Sequence, residues 1–320
     1  MSSVDVVVVN WNGALVIEEC LSALVLSAER CDHDVTLVVV DNGSRDDSLD
    51  RVRRVAPGAV VVRAEQNLGF AGGAHLGIQR SHAEVVVLVN NDAVVDPDFL
   101  QIVVDALLTA PASVAAVTGH LLLAGTQDES GVPLVNSTGN EVTRSGNGRD
   151  RDYLSRDDGP PALPDVFGFC GGAAALRRSA LETAGDFDAS LFLYYEDTEL
   201  SWRLRRRGFT VRYERRAVVV HRHAFSSGTG SDVFAYHNTR NRLLVATRHA
   251  PLEVVLLAWA SALVRAARTF GPARHRPGRA VLRGTLAAVR LLPRELRRRR
   301  REDKASVVRG AELRALVSRS

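Results

Sequence analysis

The chain has few cysteines and no closely spaced pair of them. Cys20, Cys31 and Cys170 are an odd number, and no two of them form a CxxC motif. This pattern implies neither a disulfide framework nor a zinc site, and it favours reduced, mostly buried thiols in a cytoplasmic protein. The sequence leads from Met1 straight into a strand-like stretch, with no basic region before an apolar segment, so export is not expected.

Two nucleotide-binding motifs and a long apolar run are also missing. No GxxxxGK[ST] phosphate loop is present, and no GxGxxG follows the first predicted strand, which disfavours P-loop enzymes and ordinary dinucleotide dehydrogenases. The apolar stretch at residues 252–264 has 13 residues and includes Glu253, so it is too short to span a membrane. With 46% hydrophobic and 24% charged residues among 320, the composition is that of a globular protein with a substantial core.

The net charge of +4 hides two regions of opposite sign. Residues 265–320 contain 17 Arg and Lys against 4 Asp and Glu, whereas residues 1–264 contain 24 against 33. This asymmetry favours contact between the tail and an anionic membrane surface, through an interfacial helix over 252–264 and the five arginines at 297–301. A solvated tail is the alternative. No nucleic acid is expected, because aromatic residues are not interleaved with the basic runs.

Valine-rich runs alternate with stretches of helical length. The runs lie at residues 4–9, 35–40, 60–62 and 85–89, and they are continuous rather than alternating, as expected of parallel strands covered on both faces. Helices are predicted between them, over 14–30 and 48–55. The first hundred or so residues are therefore predicted to form a doubly wound α/β sheet.

Polar residues follow three of these strands. Ligands of open α/β sheets bind outside the carboxyl ends of the strands, so these residues converge on the predicted crevice, although each is also an ordinary turn or cap residue. A glycine-rich segment at 67–73 precedes a helix predicted over 74–80, and glycines there let backbone amides approach a diphosphate or a sugar. The strand-end groups are Asn10-Trp11-Asn12, Asp41-Asn42-Gly43-Ser44 and Asn90-Asn91-Asp92.

The ordered motifs of residues 4–245 resemble those of family 2 glycosyltransferases with the GT-A fold, and most closely the rhamnosyltransferase branch. The resemblance implies a Rossmann-like, mostly parallel α/β sheet and inverting transfer of a sugar from a nucleoside diphosphate donor. The motifs are VVVVNWNG, VVVDNGSRDDS, NLGFAGG, VLVNND, GFCGGAAALRR, FLYYEDTELSWRLRRRG and VVVHR.

The resemblance implies a divalent cation, Mg²⁺ or Mn²⁺, which suits a departing diphosphate. Asp92 matches the last acid of the family's DxD motif and His221 its late metal-ligand histidine, whereas Asn90 replaces the first acid and leaves fewer charged ligands. Asp41 is expected to accept a hydrogen bond from the pyrimidine N3–H of a dTDP- or UDP-sugar. The other donor-binding residues implied by the resemblance are Asn10, Asn12, Asn67, Gly69, Gly73 and Asn91.

The catalytic base is assigned to the acidic start of a predicted amphipathic helix at 194–200. Inversion requires a group that takes the proton of the acceptor hydroxyl, and the match to the family's ED motif makes Asp197 that base and Glu196 its neighbour. Acids in a first helical turn also favour the helix dipole without any chemistry. The acceptor pocket implied by the resemblance comprises Gly171, Gly172 and Asp188.

The chain is thus predicted to transfer L-rhamnose from dTDP-rhamnose to an acceptor such as a lipid-linked saccharide, as a cytoplasmic protein peripheral to the inner face of the cell membrane. A transferase that decorates a small molecule and a non-catalytic nucleotide-sugar-binding protein are the alternatives. The predicted catalytic domain is 1–245, with a nucleotide-sugar half (1–110) and an acceptor half (111–245), and 246–320 form a helical basic extension. Residues 238–242 resemble a segment that contacts diphosphate or acceptor, or else they begin a helix.

Overall fold

The computed structural model describes residues 1–159, 162–222, 231–267 and 277–318. The strands are β1 (Ser3–Asn10), β2 (Asp34–Asp41), β3 (Val60–Arg63), β4 (Val85–Asn90), β5 (Ala93–Val95), β6 (Val114–Gln127), β7 (Pro133–Ser137), β8 (Asn140–Val142), β9 (Gly148–Asp150), β10 (Asp165–Val166), β11 (Ala173–Arg177) and β12 (Thr210–His221). The helices are α1 (Ile17–Glu29), α2 (Ser48–Val55), α3 (Gly69–Arg80), α4 (Phe99–Leu108), α5 (Arg178–Ala184), α6 (Glu196–Arg206), α7 (Asp232–His249), α8 (Leu252–Ala267), α9 (Pro277–Ala305) and α10 (Ala311–Ala315), with a 3₁₀ turn at Ala189–Leu191.

The four valine-rich runs form parallel strands, as the sequence predicts. β3, β2, β1 and β4 lie side by side in that order, with Val8 of β1 opposite Val39 and Val89. Alternate residues of β1 enter two different cores: Val8 packs with α1 and α4 on one face, and Val7 packs with α3, α5 and α6 on the other. Burial on both faces explains why these strands are continuously apolar.

The second half of the chain extends the sheet with strands of both directions. β11 is antiparallel to β4 and to β6, and β12 is parallel to β6 and antiparallel to β10. β5 pairs with the end of β12, so that His221 lies opposite Ala93, next to Asp92. β8 and β9 form a separate hairpin.

Helix α3 begins five residues before the predicted start at residue 74. Residues 69–73 of the glycine-rich segment form the first part of this helix, and only residues 67 and 68 lie ahead of it. A Cβ added to Gly73 would stand 2.5 Å from Cγ1 of Val9. The glycine therefore lets α3 pack closely on β1, and this contact outweighs the low helix propensity of glycine.

The C-terminal helices pack on the rest of the protein. The predicted helix over 252–264 is present as α8, and Val254, Ala258 and Ala262 form its buried stripe. The five arginines lie in α9, which packs on α7, and the predicted domain boundary at residue 245 falls inside α7. None of the helices in the described ranges is both long and apolar enough to cross a bilayer.

Helices α6, α7 and α9 are joined by buried charges. Glu199 of α6 is 0% exposed and accepts hydrogen bonds from Arg203 Nη2 (2.7 Å), Arg248 Nη1 (2.8 Å) and His249 Nε2 (3.0 Å). Arg248 also donates through Nε to Glu295 of α9 at 2.7 Å. Burial by itself would raise the pKa of Glu199, but Arg203, Arg248 and His249 hold it well below its usual value.

Replacing Glu199 by Gln should therefore destabilise the fold strongly. The variant leaves Arg203 buried without a counter-charge and removes one of the three carboxylates around Arg248, and we expect the free energy of unfolding to fall by about 3–5 kcal/mol. Denaturant unfolding at neutral pH measures the change. The matched control is Glu18→Gln, because Glu18 is 38% exposed and pairs with Arg54 at the surface, where such pairs contribute about 0–1 kcal/mol. Equal losses in the two variants would contradict the assigned role of Glu199.

Candidate active site

Two strand ends meet through buried amides. Asn10, at the end of β1, is 1% exposed, and its Nδ2 donates to Ser48 Oγ at 2.9 Å. Asn91, just after β4, donates from Nδ2 to Asn10 Oδ1 at 3.0 Å. The structure thus brings together two of the predicted donor-binding residues at the carboxyl edge of the sheet.

Asp41 and Asn12 flank the same edge. Asp41 is buried at the end of β2, where its Oδ1 accepts from the Ser44 amide (3.1 Å) and its Oδ2 lies 3.5 Å from Arg63 Nε. Asn12 has a positive φ of 48°, and its Oδ1 accepts from the Arg45 amide at 2.8 Å. The Asn12 side chain therefore shapes the turn between the two strand ends.

Asn67 and Gly69 shape the start of α3. The Asn67 Oδ1 accepts from the Gly69 amide (2.8 Å) and from Asn42 Nδ2 (3.2 Å). Gly69 has φ +71°, and a Cβ there would stand 2.0 Å from the carbonyl oxygen of Phe192. Its conformation and packing account for this glycine, as packing accounts for Gly73, and contact with a donor stays a prediction for both.

Asp92 and His221 meet across the sheet. Asp92 Oδ1 lies 3.1 Å from His221 Nε2, and both residues are buried. Asn136 Oδ1 lies 2.6 Å from His221 Nδ1 and accepts the proton on that nitrogen, which orients the ring with Nε2 toward Asp92. Asn90 Nδ2 lies 3.2 Å from Nε2. No sequence signal indicated Asn136, which is 85 residues from His221.

These residues fit a divalent cation with few protein ligands. The buried Oδ1 of Asn90 has no hydrogen-bond partner among the described residues and adds an oxygen beside the Asp92 carboxylate and the His221 imidazole. Within the ranges that the structure describes, no three His, Cys, Asp or Glu side chains group as a metal site. Further ligands would come from phosphate and water, as is usual for Mg²⁺.

Two glycines connect this group to the start of α6. Gly172 accepts the amide of Asn90 on its carbonyl oxygen at 3.0 Å, and the Gly171 amide donates to Asp197 Oδ2 at 3.1 Å. Asp188 has a different environment. Its Oδ2 accepts from Arg248 (2.8 Å) and Arg298 (2.6 Å), and its Oδ1 accepts from Ser190, so Asp188 fastens its loop to α7 and α9.

The two acids of the ED pair differ in environment. Glu196 is 8% exposed, and burial together with the negative charge of Asp197 raises its pKa to about 8. Asp197 is partly exposed, and its Oδ1 also accepts from the Thr198 Oγ1 at 3.2 Å. At neutral pH Glu196 is therefore mostly protonated, which makes it the poorer proton acceptor of the two acids.

A third acid faces the same site and was missed in the sequence. Burial raises the pKa of Asp150, at the end of β9, to about 6; the charge of Asp197 adds to this rise, and hydrogen bonds with Ser137 and Cys170 oppose it. The charges of Asp197 and His221 both act on the pKa of Asp150, so Asp150 lies near the candidate base and one of the candidate metal ligands. Only the β8–β9 hairpin brings it there, and nothing in the surrounding sequence distinguishes it from a loop acid.

The chain just before α6 is strained. Three non-glycine residues there have positive φ, a conformation that costs of order 1–3 kcal/mol each and needs support from its surroundings. Asn241 of α7 provides that support, because its Nδ2 donates to three backbone carbonyls of the loop. Asn241 belongs to the segment 238–242, one interpretation of which is the start of a helix. The structure instead places this segment inside α7, which is capped by Ser231. The strained residues are Phe192 (69°), Tyr194 (68°) and Tyr195 (71°), and the carbonyls are those of Leu191 (3.0 Å), Leu193 (2.9 Å) and Tyr194 (2.7 Å).

Comparison with known proteins identifies the family of the chain. The family model described as Glycosyl transferase family 2 matches residues 5–185. A protein of Mycobacterium tuberculosis (strain ATCC 25618 / H37Rv), named N-acetylglucosaminyl-diphospho-decaprenol L-rhamnosyltransferase, is 27% identical over 277 residues, which cover 79% of this chain and 87% of that protein.

Solved structures share the fold. GalNAc-T7 with UDP, GalNAc and Mn²⁺ has a TM-score of 0.62 at 14% identity, and the match covers 93% of this chain and 57% of GalNAc-T7. The mannosyltransferase PcManGT from Pyrobaculum calidifontis, in complex with GDP-Man and Mn²⁺, has a TM-score of 0.54 at 21% identity over 94% of this chain and 85% of that one. These likenesses identify the fold as GT-A.

The raised pKa of Glu196 predicts a pH-dependent cost in stability. The folded protein keeps this proton up to about pH 8, whereas the unfolded chain loses it near pH 4.5, so stability declines as pH rises through that window. Glu196→Gln removes the decline, and its stability relative to wild type should rise by about 2–3 kcal/mol between pH 6 and pH 9. The control is Glu214→Gln, since Arg216 lowers the pKa of Glu214 and no such gain is expected. Parallel curves for Glu196→Gln and wild type would refute the assignment.

The support from Asn241 predicts a loss of stability in Asn241→Ala. The carbonyls of Leu193 and Tyr194 lose the Asn241 donor and that of Leu191 loses one of its donors, and we expect the free energy of unfolding to fall by about 1–3 kcal/mol, with faster proteolysis at residues 191–195. Asn238→Ala, a half-buried position on the same helix, is the control. Denaturant unfolding and limited proteolysis with mass spectrometry measure both effects. Unchanged cleavage in Asn241→Ala would contradict the proposed support.

Proposed function

This chain belongs to glycosyl transferase family 2, in its rhamnosyltransferase-like branch, and we propose that it transfers L-rhamnose from dTDP-rhamnose to an acceptor hydroxyl with inversion. One observation carries the proposal. The buried strand-end amides, the Asp92–His221 pair and the Asp197 carboxylate lie along one edge of the sheet, and Gly171 and Gly172 link the last two.

Donor binding is proposed for the ends of β1, β2 and β4. Asp41 offers a buried carboxylate that suits the N3–H of thymine or uracil, and Asn10 and Asn91 offer amides beside it. Asn12, Asn67, Gly69 and Gly73 border the region proposed for the ribose and the diphosphate. Since thymine and uracil both present this N–H, Asp41 accepts a dTDP-sugar or a UDP-sugar.

Asp92 and His221 are proposed to hold Mg²⁺ or Mn²⁺, with the Asn90 Oδ1 as a further oxygen. A divalent cation at this place supplies charge neutralisation for a departing diphosphate. Asn136 orients the His221 ring for this role through its hydrogen bond to Nδ1.

Asp197 is proposed as the catalytic base. It takes the proton of the acceptor hydroxyl while that oxygen bonds to the anomeric carbon and the bond to the diphosphate breaks on the opposite face, which inverts the configuration. Protonated Glu196 can donate a hydrogen bond at neutral pH and is proposed to orient the acceptor. Gly171, with space beside Asp197, and Gly172 border the proposed acceptor pocket, and Asp188 secures its outer loop.

The acceptor is proposed to be a lipid-linked saccharide of cell-wall or polysaccharide assembly. The name of the mycobacterial relative specifies a diphospho-decaprenol acceptor, which supports this choice. The basic residues of 265–320 support a peripheral position at the cytoplasmic face of the membrane. In this arrangement residues 1–110 bind the donor, 111–245 bind the acceptor, and 246–320 meet the membrane.

The test is donor binding and turnover with dTDP-rhamnose, UDP-glucose, UDP-GlcNAc, UDP-galactose and GDP-mannose, each with Mn²⁺, Mg²⁺ or EDTA. We expect metal-dependent binding of dTDP-rhamnose that Asp92→Ala weakens. Asp197→Asn should bind the donor as wild type does but lose about 10²–10⁴-fold in kcat, because general base catalysis contributes that much. Asp98→Asn, at an exposed carboxylate on the surface, is the control.

Each part of the proposal has its own contrary result. If another donor binds in a metal-dependent manner and dTDP-rhamnose does not, the transferred sugar is that of the other donor and not rhamnose. Unaltered turnover in Asp197→Asn removes the proposed base. If no donor binds with metal, the transferase assignment fails as a whole.

A further inference from the structure

The outward face of α8 is apolar. Val254, Ala258 and Ala262 face the protein, and the opposite side of the helix exposes large aliphatic side chains along its length. Its one acidic residue, Glu253, is paired with Arg314 of α10 at 2.7 Å. The exposed residues are Leu252, Leu256, Leu257, Leu263 and Val264, each between 50% and 64% exposed.

The outward face of α9, which packs beside α8, carries two adjacent rows. Helical spacing places five exposed arginines in one row along the helix and exposed aliphatic residues in the other. The basic row therefore borders aliphatic side chains in the middle of α9, from Leu286 to Leu296. The basic row comprises Arg279, Arg283, Arg290, Arg297 and Arg301, and the aliphatic row comprises Leu286, Val289 and Leu296.

The basic row has no acidic partners in the described part of the chain, where no ion pair joins any of its five arginines to an Asp or Glu. Two other arginines of the 297–301 tract bind groups of the protein. Arg298 bonds to Asp188, and Arg299 donates to the carbonyls of Thr247 and Ala250. The tract of five is thus divided by the helical period into arginines that bind the protein and arginines that face outward.

We propose that the exposed aliphatic residues of α8 and α9 and the basic row form one docking surface, here called the α8–α9 surface, whose occupant is an anionic lipid bilayer. The aliphatic side chains enter the boundary between headgroups and acyl chains, and the arginines pair with lipid phosphates. Charge complementarity selects this occupant, because an unpaired basic row beside exposed leucines matches a surface that is anionic outside and apolar beneath.

The α8–α9 surface also orients the active site. Arg298 of α9 binds Asp188, and Arg248 joins Asp188, Glu199 and Glu295, so α9 is fastened to the loop and helix that carry Asp197. A protein docked through α9 therefore holds the Asp197 segment in a fixed position relative to the bilayer. The docking follows from the surface itself, whereas its use in reaching a lipid-linked acceptor rests on the proposed function.

Vesicle flotation of the full-length chain tests the proposal. Vesicles of phosphatidylcholine alone are compared with vesicles of equal parts phosphatidylcholine and phosphatidylglycerol, without donor or acceptor. We expect binding to the anionic vesicles only, weakened by added salt. Arg290→Gln/Arg297→Gln should weaken it by about 10–30-fold, since each such arginine contributes about fivefold, and Leu256→Gln/Leu263→Gln by about tenfold or more.

Matched variants control for charge and polarity. Arg53→Gln/Arg54→Gln removes the same charge from α2, and Leu26→Gln/Leu163→Gln makes the same change at exposed leucines elsewhere. Both should bind vesicles as wild type does. Unfolding midpoints within experimental error of wild type show that all four variants are folded.

Four results would overturn the inference. Absence of binding to anionic vesicles rejects the bilayer, and equal losses in test and control variants reject this surface. If Leu256→Gln/Leu263→Gln binds anionic vesicles as wild type does, the leucines do not contact the bilayer. If light scattering shows that this variant is a monomer where wild type is a dimer, the leucines form a contact between two copies of the chain. Because no sugar donor is present, these outcomes are independent of whether the proposed transfer reaction is correct.

Discussion

Glu199 carries its charge without any contact with solvent, so its cationic partners must remain beside it. Arg248 is one of these partners, and its guanidinium also binds Asp188 and Glu295. The first turn of α6, the loop before it and the middle of α9 are consequently tied to one point. Buried ion pairs add little net stability, but breaking one leaves a charge unpaired, so the arrangement defines the relative positions of these elements.

The position of Asp197 depends on that anchor and on the strained loop in front of it. Asn241 holds the loop from α7, and Gly171 meets the carboxylate from the other side. These contacts fix the start of α6, where the first residue, Glu196, is buried and the second, Asp197, is partly exposed. Burial raises the pKa of Glu196 to about 8 and that of Asp150 to about 6, so two acids with raised pKa values lie near Asp197.

The C-terminal helices show how one charged tract serves two purposes. In the sequence, residues 297–301 are an undivided basic run, and the helix distributes them around its circumference. Arg298 and Arg299 bind carboxylate and carbonyl oxygens of the protein, while Arg297 and Arg301 join the outward row of α9. Helical periodicity, and not the number of arginines, decides how many of them are available to a partner.

Local pattern in the sequence was sufficient to predict the parallel strands, α2 at Ser48–Val55 and the acidic start of α6. It also predicted that Asn10, Asp41 and Asp92 lie at strand ends. Burial on two faces and the direction of the chain both follow from the pattern of neighbouring residues. The tertiary structure alone decided the antiparallel place of β11 between β4 and β6, the contact of Asn136 with His221, the support from Asn241 and the arrival of Asp150 at the site. These contacts join residues that are far apart in the chain, and a single asparagine or aspartate in a loop has no periodicity that reveals its partner. The start of α3 differs from the predicted start for the same reason. The glycines weaken a helix locally, but the close approach of Val9 requires Gly73 there.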